Sequence, residues 1–595
     1  MGVNQDEPKK KTPKKVIISL RKHPVIVYGI IGVLAVAGVV GGIYLFTTPN
    51  DYPDLIIGTN YGIIVSLDPF DNNTPMNHDI TSQIAEGLFD YATASDNSQL
   101  IHNLAISHTW SNDYLNLTCN LRQGVKFHDG TALNAASVKW NFDRICNLMD
   151  LNMSTSFAND FWLFPKEKRL ENDGKRILNE TQIINDYTIR FILNSPYTPF
   201  LDLLASIYAY IYSPTSTPYD DFIPLSGPII GTGSFIYEGY IENEKIILSS
   251  NPFYWRGQPK INKLIFLILN KTARYEALLS RDISMLCGYN HRYDATSDSI
   301  YYDDSIDVDS FFNHPSVIVQ EGPPLFQFTY LIMNNELINV TMRKAISYAL
   351  NYSLIIDELI NGHGIRAKSP IPEGMQYSNL TDINYPHHNV SKARRVLKDA
   401  GWPGTFSLSA NNNVSVGNEW ENLVTNNTPL ETYNFTYTAS EGSFLSQIFF
   451  PLLADDLKQI GIKLEPAIIT RAEWHAIVHE IGGYHLNMIN FALLDTNGPK
   501  FNDPSTIIQD LYLSGGFDNL GQVNDTLVES WMEQVLGEPD EKLRSQIYYN
   551  IQKHLVEEVF PSCCLYRKNY LSIFRSNLRG WQVHQFKSNY KDIFF

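Results

Sequence analysis

The feature that most constrains this chain is an uncharged, mostly apolar run that opens at Val25 and closes at Phe46. About 20 apolar residues are enough for a helix to span a bilayer core. Gly29, Gly32, Gly38, Gly41 and Gly42 fall within the run, and glycine is common in such helices. Before it stand Lys9, Lys10, Lys11, Lys14, Lys15, Arg21 and Lys22, against Asp6 and Glu7. The tail therefore carries +5, and the remaining chain carries −22 of the net −17. A basic cluster before a span keeps the N-terminus in the cytoplasm. The expectation is a basic cytoplasmic tail (1–24), one membrane anchor (25–46) and an extracytoplasmic body. The run is long for a signal peptide, and no Ala-x-Ala site follows it. The first cysteine is Cys119, which excludes a lipid anchor on a cysteine near the start. The expected location is therefore the cell membrane, single-pass.

The acidic body argues against nucleic-acid binding through a basic surface. Asn-x-Ser/Thr sequences agree with an outside location, among them Asn270, Asn339, Asn351 and Asn389. Cys119, Cys146, Cys287, Cys563 and Cys564 are an odd number with no zinc spacing, and their pairing is left open.

Strand-like and helix-like segments alternate, which predicts α/β domains. Leu55 to Gly58 reads as a buried strand, and Tyr114 to Leu121 alternates as a half-buried one. Thr341 to Ile360 reads as one helix with Ala345, Ile346, Ala349, Leu350 and Ile356 along one side. Residues 530–559 read as helical with a break near Gly537 and Pro539.

The catalytic inventory is thin. Gly231-Thr232-Gly233 lacks the third glycine of a dinucleotide loop, and strand-like sequence follows it. Neither a Walker sequence nor a Gly-x-Ser-x-Gly elbow occurs. His475 and His479 share a helix face, but Glu480 follows the second His instead of the first; His485 would need a favourable turn to join them. No enzyme, cofactor or metal site is expected. The alternatives are a surface hydrolase or metal enzyme on the same anchor, or a sensor.

Four blocks, taken together, resemble the extracellular solute-binding family 5, the oligopeptide- and dipeptide-binding class that serves ABC importers. The first is Leu67-Asp68-Pro69 with Ile84-Ala85-Glu86-Gly87-Leu88. The second runs from Leu121 through Gly124, Phe127, His128, Asp129 and Gly130 to Val138-Lys139. The third joins Gly231-Thr232-Gly233 to Asn251-Pro252-Phe253-Tyr254-Trp255. The fourth is Val340 to Ala349 with Pro370-Ile371-Pro372 and Gly401-Trp402-Pro403. Read as residues, these glycines, prolines and Trp255 report turns and packing, not ligand contacts.

The resemblance implies a type II periplasmic-binding-protein-like fold, with two α/β lobes, a hinge and a subdomain on the first lobe. Lobe I is expected at 55–80, 181–325 and 573–595, its subdomain at 81–180 and lobe II at 326–572. The implied partners are an oligopeptide or other small solute and ABC permease subunits with their ATPase. The family's acid for a peptide ammonium lies in a Trp-x-x-Asp-Tyr stretch. Asp495 is the matching acid; Phe491 stands for Trp and Thr496 for Tyr, with one residue more between. The resemblance also assigns Trp474 to a pocket wall, and Asn73, Thr74, Pro75 and Met76 to a loop facing the cleft.

Overall fold

Apolar runs and strict alternation decide the strands, and both read correctly. The computed structural model describes residues 52–59, 66–71, 75–92, 99–151, 153, 176–286, 311–402, 419–438, 445–470, 473, 489–496, 502–516, 518–582 and 589–595. The expected tail and anchor, Asn73, Thr74, Trp474, His475, His479, Glu480, His485 and Cys287 lie outside the described residues. Among those described, no helix is long and apolar enough to cross a membrane. The described cysteines, Cys119, Cys146, Cys563 and Cys564, are free thiols.

Leu55–Thr59 is a buried strand, and Asn116–Leu121 alternates between sheltered and open faces. A twelve-stranded mixed sheet organises the chain, with Ser562–Arg575 at its centre. The C-terminal part of this long strand pairs with Val317–Pro324 and Met285–Leu286. Leu55–Thr59 extends that half by parallel pairing to Met285–Leu286 and to Lys263–Ile268. The N-terminal part of the long strand pairs with Thr329–Met333 and Gly364–Arg366. Thr329–Met333 carries Phe491–Asp495, and Glu431–Thr438 with Ile462–Ile469 completes the second half. One strand thus belongs to both halves, and the register of its neighbour shifts between Glu321 and Pro324, where the halves meet.

Arg567 fixes that crossing. Its guanidinium donates to the carbonyls of Leu325 at 2.6 Å, Glu373 at 2.8 Å and Pro324 at 3.1 Å. Burial lowers its pKa to about 10, still far above neutral pH, so it stays cationic while it ties these three carbonyls together.

A separate four-stranded sheet, Ala105–Trp110, Asn116–Leu121, Thr188–Leu193 and Leu178–Asn185 in spatial order, reaches residue Leu193. Helix Ala135–Asp150 contacts it and starts with a capping box between Asn134 and Ser137. The helix expected as one piece from Thr341 to Ile360 is two, Val340–Ala349 and Tyr352–Ile360. Asn351 causes the break: its side chain accepts from Leu354 N and caps a new helix. The break expected near Gly537 is found between Thr526–Gly537 and Glu541–His554.

The blocks that carry the family resemblance meet in space. Glu86 is buried and accepts from Thr232 Oγ1 at 2.8 Å, Tyr254 OH at 2.9 Å and Trp255 Nε1 at 2.9 Å. Arg122 and Arg256 flank the Trp255 ring, each at 4.4 Å from its centre. A side chain at Gly231 would place its Cβ 2.2 Å from the Ile84 carbonyl oxygen, and one at Gly233 would lie 2.3 Å from that of Gln83. These glycines serve close backbone approach, not phosphate binding. Asp68 is likewise sealed by Arg144 at 2.7 Å. Gly124 and Gly130 sit at φ 79° and 84°, the left-handed turns that favour glycine.

Candidate functional site: the crevice at the hinge

Strand directions locate the site. Thr329 lies beside Tyr566 near the crossing, and Ile332, further along its strand, lies beside Ser562. Phe491–Asp495 is antiparallel to that strand, so its carboxyl end, Asp495, points to the crossing. Glu431–Thr438 runs parallel to Phe491–Asp495, and Ile462–Ile469 runs parallel to Glu431–Thr438. In the other half, Met285 lies beside Phe574 and Leu286 beside Ile573, so this strand also runs toward the crossing. Leu55–Thr59 and Lys263–Ile268 run with it. The carboxyl ends of both halves therefore converge on one hinge. Open α/β sheets bind ligands in the crevice outside their strand carboxyl ends.

At the second half's edge of this crevice lies Asp495. One carboxylate oxygen accepts the Thr329 hydroxyl, and the other accepts Lys568 Nζ at 3.2 Å. The sheet produces this triad: Thr329 is paired to Asp495 on one side and to Tyr566 on the other, and Lys568 is two residues on from Tyr566. Residues two apart share a face of a strand. The side chains of Lys568 and Asp495 are 12% and 10% exposed, sheltered but open to an incoming group.

Phe491, expected as a site residue, is instead fully buried. It packs edge-on to Tyr433 at 5.5 Å within the second half's core. Its strand pairs it with Met333, the end of Thr329–Met333 away from the hinge. Phe491 and Asp495 share a face of the strand, and position along it separates them: Asp495 ends at the hinge, whereas Phe491 begins inside the core. Pro75 and Met76 open the helix Pro75–Ile84. Trp474 follows the strand end at Ile469 in sequence, outside the described residues.

A buried polar seam joins the halves beside the hinge, and sequence reading missed all of it. From the first half, Tyr91 OH donates to Asp202 at 2.7 Å and accepts from the Asn502 backbone N at 3.1 Å. From the second, Asp503 accepts Arg544 at 2.6 Å and Tyr548 OH at 2.7 Å. Tyr377 stacks on Tyr548 at 5.2 Å and lies 4.8 Å from the Arg544 guanidinium. Thr198 N donates to the Leu536 carbonyl at 2.9 Å across the same seam. Burial, then the nearby Asp503 charge, raises the Asp202 pKa from 3.8 to about 7, against the opposing pull of Tyr91 and Arg544. Two signals in the sequence point here: Asp503-Pro504 ahead of an apolar helix, and Arg544 with Tyr548 one helical turn apart.

A hollow of ≈ 540 Å³ lined by Asn335, Arg343, Asp525 and His554 lies past the other end of Thr329–Met333, far from the strand ends that define the crevice. Among the described residues, no group of three His, Cys, Asp or Glu could hold a metal ion.

Known proteins agree with this architecture. Residues 99–518 match the family described as "Bacterial extracellular solute-binding proteins, family 5 Middle". The "Glutathione-binding protein GsiB" of Pectobacterium atrosepticum is 26% identical over 58% of this chain and 60% of its own length. The chain thus spans less than two thirds of that relative. The "Probable D,D-dipeptide-binding periplasmic protein DdpA" of Escherichia coli is 24% identical over 87% of this chain and 89% of its own. Among solved structures, the "ABC transporter-associated periplasmic binding protein DppA from Helicobacter pylori in complex with peptide STSA" superposes with a TM-score of 0.66 at 19% identity, over 91% of this chain and 98% of its own. That likeness shows the fold, an α/β periplasmic-binding-protein-like fold with mixed sheets. The family match covers well over half the chain, and the protein therefore belongs to the bacterial extracellular solute-binding proteins of family 5.

Proposed function

We propose that this protein is the substrate-binding component of an ABC importer, held at the membrane by residues 25–46 with its body outside. It captures a small solute, an oligopeptide foremost, between two lobes and hands it to permease subunits with their ATPase. No covalent chemistry is involved. The lobes are 55–80 with 181–325 and 573–595, and 326–572, with a subdomain expected at 81–180 whose four-stranded sheet runs on to Leu193.

The observation that carries the reading is the convergence of both sets of strand carboxyl ends on one shared strand. A ligand placed there touches both halves, so its binding energy is largest in the closed state and shifts the population toward it. The relatives named for glutathione and a dipeptide, and the neighbour holding a peptide, favour peptides among small solutes. A main chain laid along strand ends can be held through its own amides and carbonyls.

The test is thermal melting of the full chain with a library of di- to pentapeptides, followed by X-ray scattering. A binder should raise the melting temperature in a concentration-dependent way and reduce the radius of gyration. Peptides that do neither, while a sugar or metal chelate does both, would move the reading to that ligand class.

A further inference from the structure

We infer that Lys568 is a built-in counter-cation for Asp495 and thereby sets the charge class of the ligand: the crevice takes solutes with no free ammonium group at the Asp495 end. The inference deepens the proposed function and rests on the ligand lying at the strand ends.

Asp495 is the acid that the strand ends present to the crevice, and both of its oxygens are engaged within the chain. Thr329 donates to one, and Lys568 Nζ lies 3.2 Å from the other. The lysine is not a wandering surface cation. Its backbone is held on both sides, by pairing with Gly364 and by the Leu325 N–H donating to its carbonyl at 2.9 Å. It sits where the chain crosses between halves, one residue after the buried Arg567 that ties Leu325, Pro324 and Glu373 together. The Lys568 and Asp495 side chains are only 12% and 10% exposed, so solvent screens their attraction less than on an open surface.

A ligand ammonium arriving at Asp495 would meet a carboxylate already neutralised. It would have to share that carboxylate with a like charge or displace Lys568 from it. Displacement leaves a sheltered lysine without its carboxylate, which is costly. A neutral or acylated end meets no such repulsion, and an anionic end gains from Lys568. The lysine therefore discriminates by rejecting the wrong charge as much as by attracting the right one.

The experiment uses the full chain, titrated by calorimetry with trialanine and N-acetyl-trialanine. Four forms are compared: wild type, Lys568→Met, Lys568→Gln and the double variant Lys568→Met/Asp495→Asn. Ligand-free melts of these and of Asp495→Asn run in parallel. Wild type should bind the acetylated peptide at least as tightly as the free one. Removing Lys568 should shift the ratio at least tenfold toward the free ammonium, and adding Asp495→Asn should abolish that shift. A wild-type preference of tenfold or more for the free ammonium, unchanged in both lysine variants, would overturn the inference. If neither peptide binds any form, the peptide reading fails, and the melts decide the inference on their own. Strong coupling between the two substitutions upholds the ion pair as the charge setting of the crevice; additive melting temperatures overturn it. Lys568→Gln keeps the test open should the methionine variant fold poorly.

Discussion

Replacing Asp202 with Asn should make the seam between the halves insensitive to pH. Burial and the Asp503 charge raise the Asp202 pKa from 3.8 to about 7, so the native seam holds a proton that the unfolded chain releases. Stability then falls as pH rises, because the native state binds more protons than the unfolded one throughout that interval. The direction is opposite to that of a salt-bridged carboxylate. The contribution is fully present below 3.8, is lost between 3.8 and about 7, and changes no further above that. At about 1.36 kcal/mol per pH unit, the interval corresponds to roughly 4 kcal/mol. Asn is isosteric with the protonated acid and still accepts from Tyr91, so below pH 3.8 the variant should match wild type to within about 1 kcal/mol, and at pH 5 it should already be the more stable by roughly 1.6 kcal/mol.

At pH 8 the variant should be the more stable protein, by up to roughly 4 kcal/mol. At about 2.1 cal/mol/K per residue, a body of this size unfolding cooperatively would show that as about 3–4 °C in melting temperature. The assay is calorimetry of both proteins at pH 5, 6, 7 and 8 and fixed ionic strength. A difference in melting temperature that stays the same from pH 5 to pH 8 would refute the reasoning, since native Asp202 would then be ionised throughout.

Other substitutions follow from the same geometry. Arg544→Ala leaves Asp503, which is fully buried, without its cation, and should cost roughly 3–5 kcal/mol in denaturant unfolding; a loss under about 1 kcal/mol would mean the pair is not sealed. Gly231→Ala forces a methyl to within 2.2 Å of the Ile84 carbonyl and should destabilise by about 1–3 kcal/mol or more, measured by the midpoint in urea. Asn389→Ala removes the side chain that accepts from Lys392 N and should cost about 1 kcal/mol, whereas Asn389→Asp should be close to neutral.

The sequence was most legible where one physical signal governed. Alternation gave Asn116–Leu121, and an apolar run gave Leu55–Thr59, because a strand's two faces leave few other arrangements. Legibility failed where two signals competed. Apolar periodicity continues through Thr341 to Ile360, yet Asn351 offers the backbone a cap and the helix restarts there. The Asn-x-Ser/Thr sequences show the same ambiguity. Asn270, Asn339, Asn351 and Asn389 are all helix caps, each accepting a backbone N–H three residues on. An Asn before a helix with Ser or Thr in its first turn meets a folding need whether or not a glycan is attached.

A deeper division separates the residues that identify the family from those that would select its ligand. The identifying residues are bound to one another: Glu86 with Thr232, Tyr254 and Trp255, and Asp68 with Arg144. Local patterns betray them because turns, close approaches and buried acids accept few alternatives. Asp495 was findable only through a resemblance, and Phe491, chosen with it, turned out to be core. Lys568 and Asp202 had no local signal at all. Each acquires its meaning from a partner 73 or 111 residues away. Those separations are set by sheet register and by contact between halves, neither of which is written in any short window of sequence. Fold recognition in this chain therefore rests on local constraint, whereas ligand selectivity rests on pairs that exist only once the two halves meet. Substitutions in the first class should abolish the protein, and substitutions in the second should retune it.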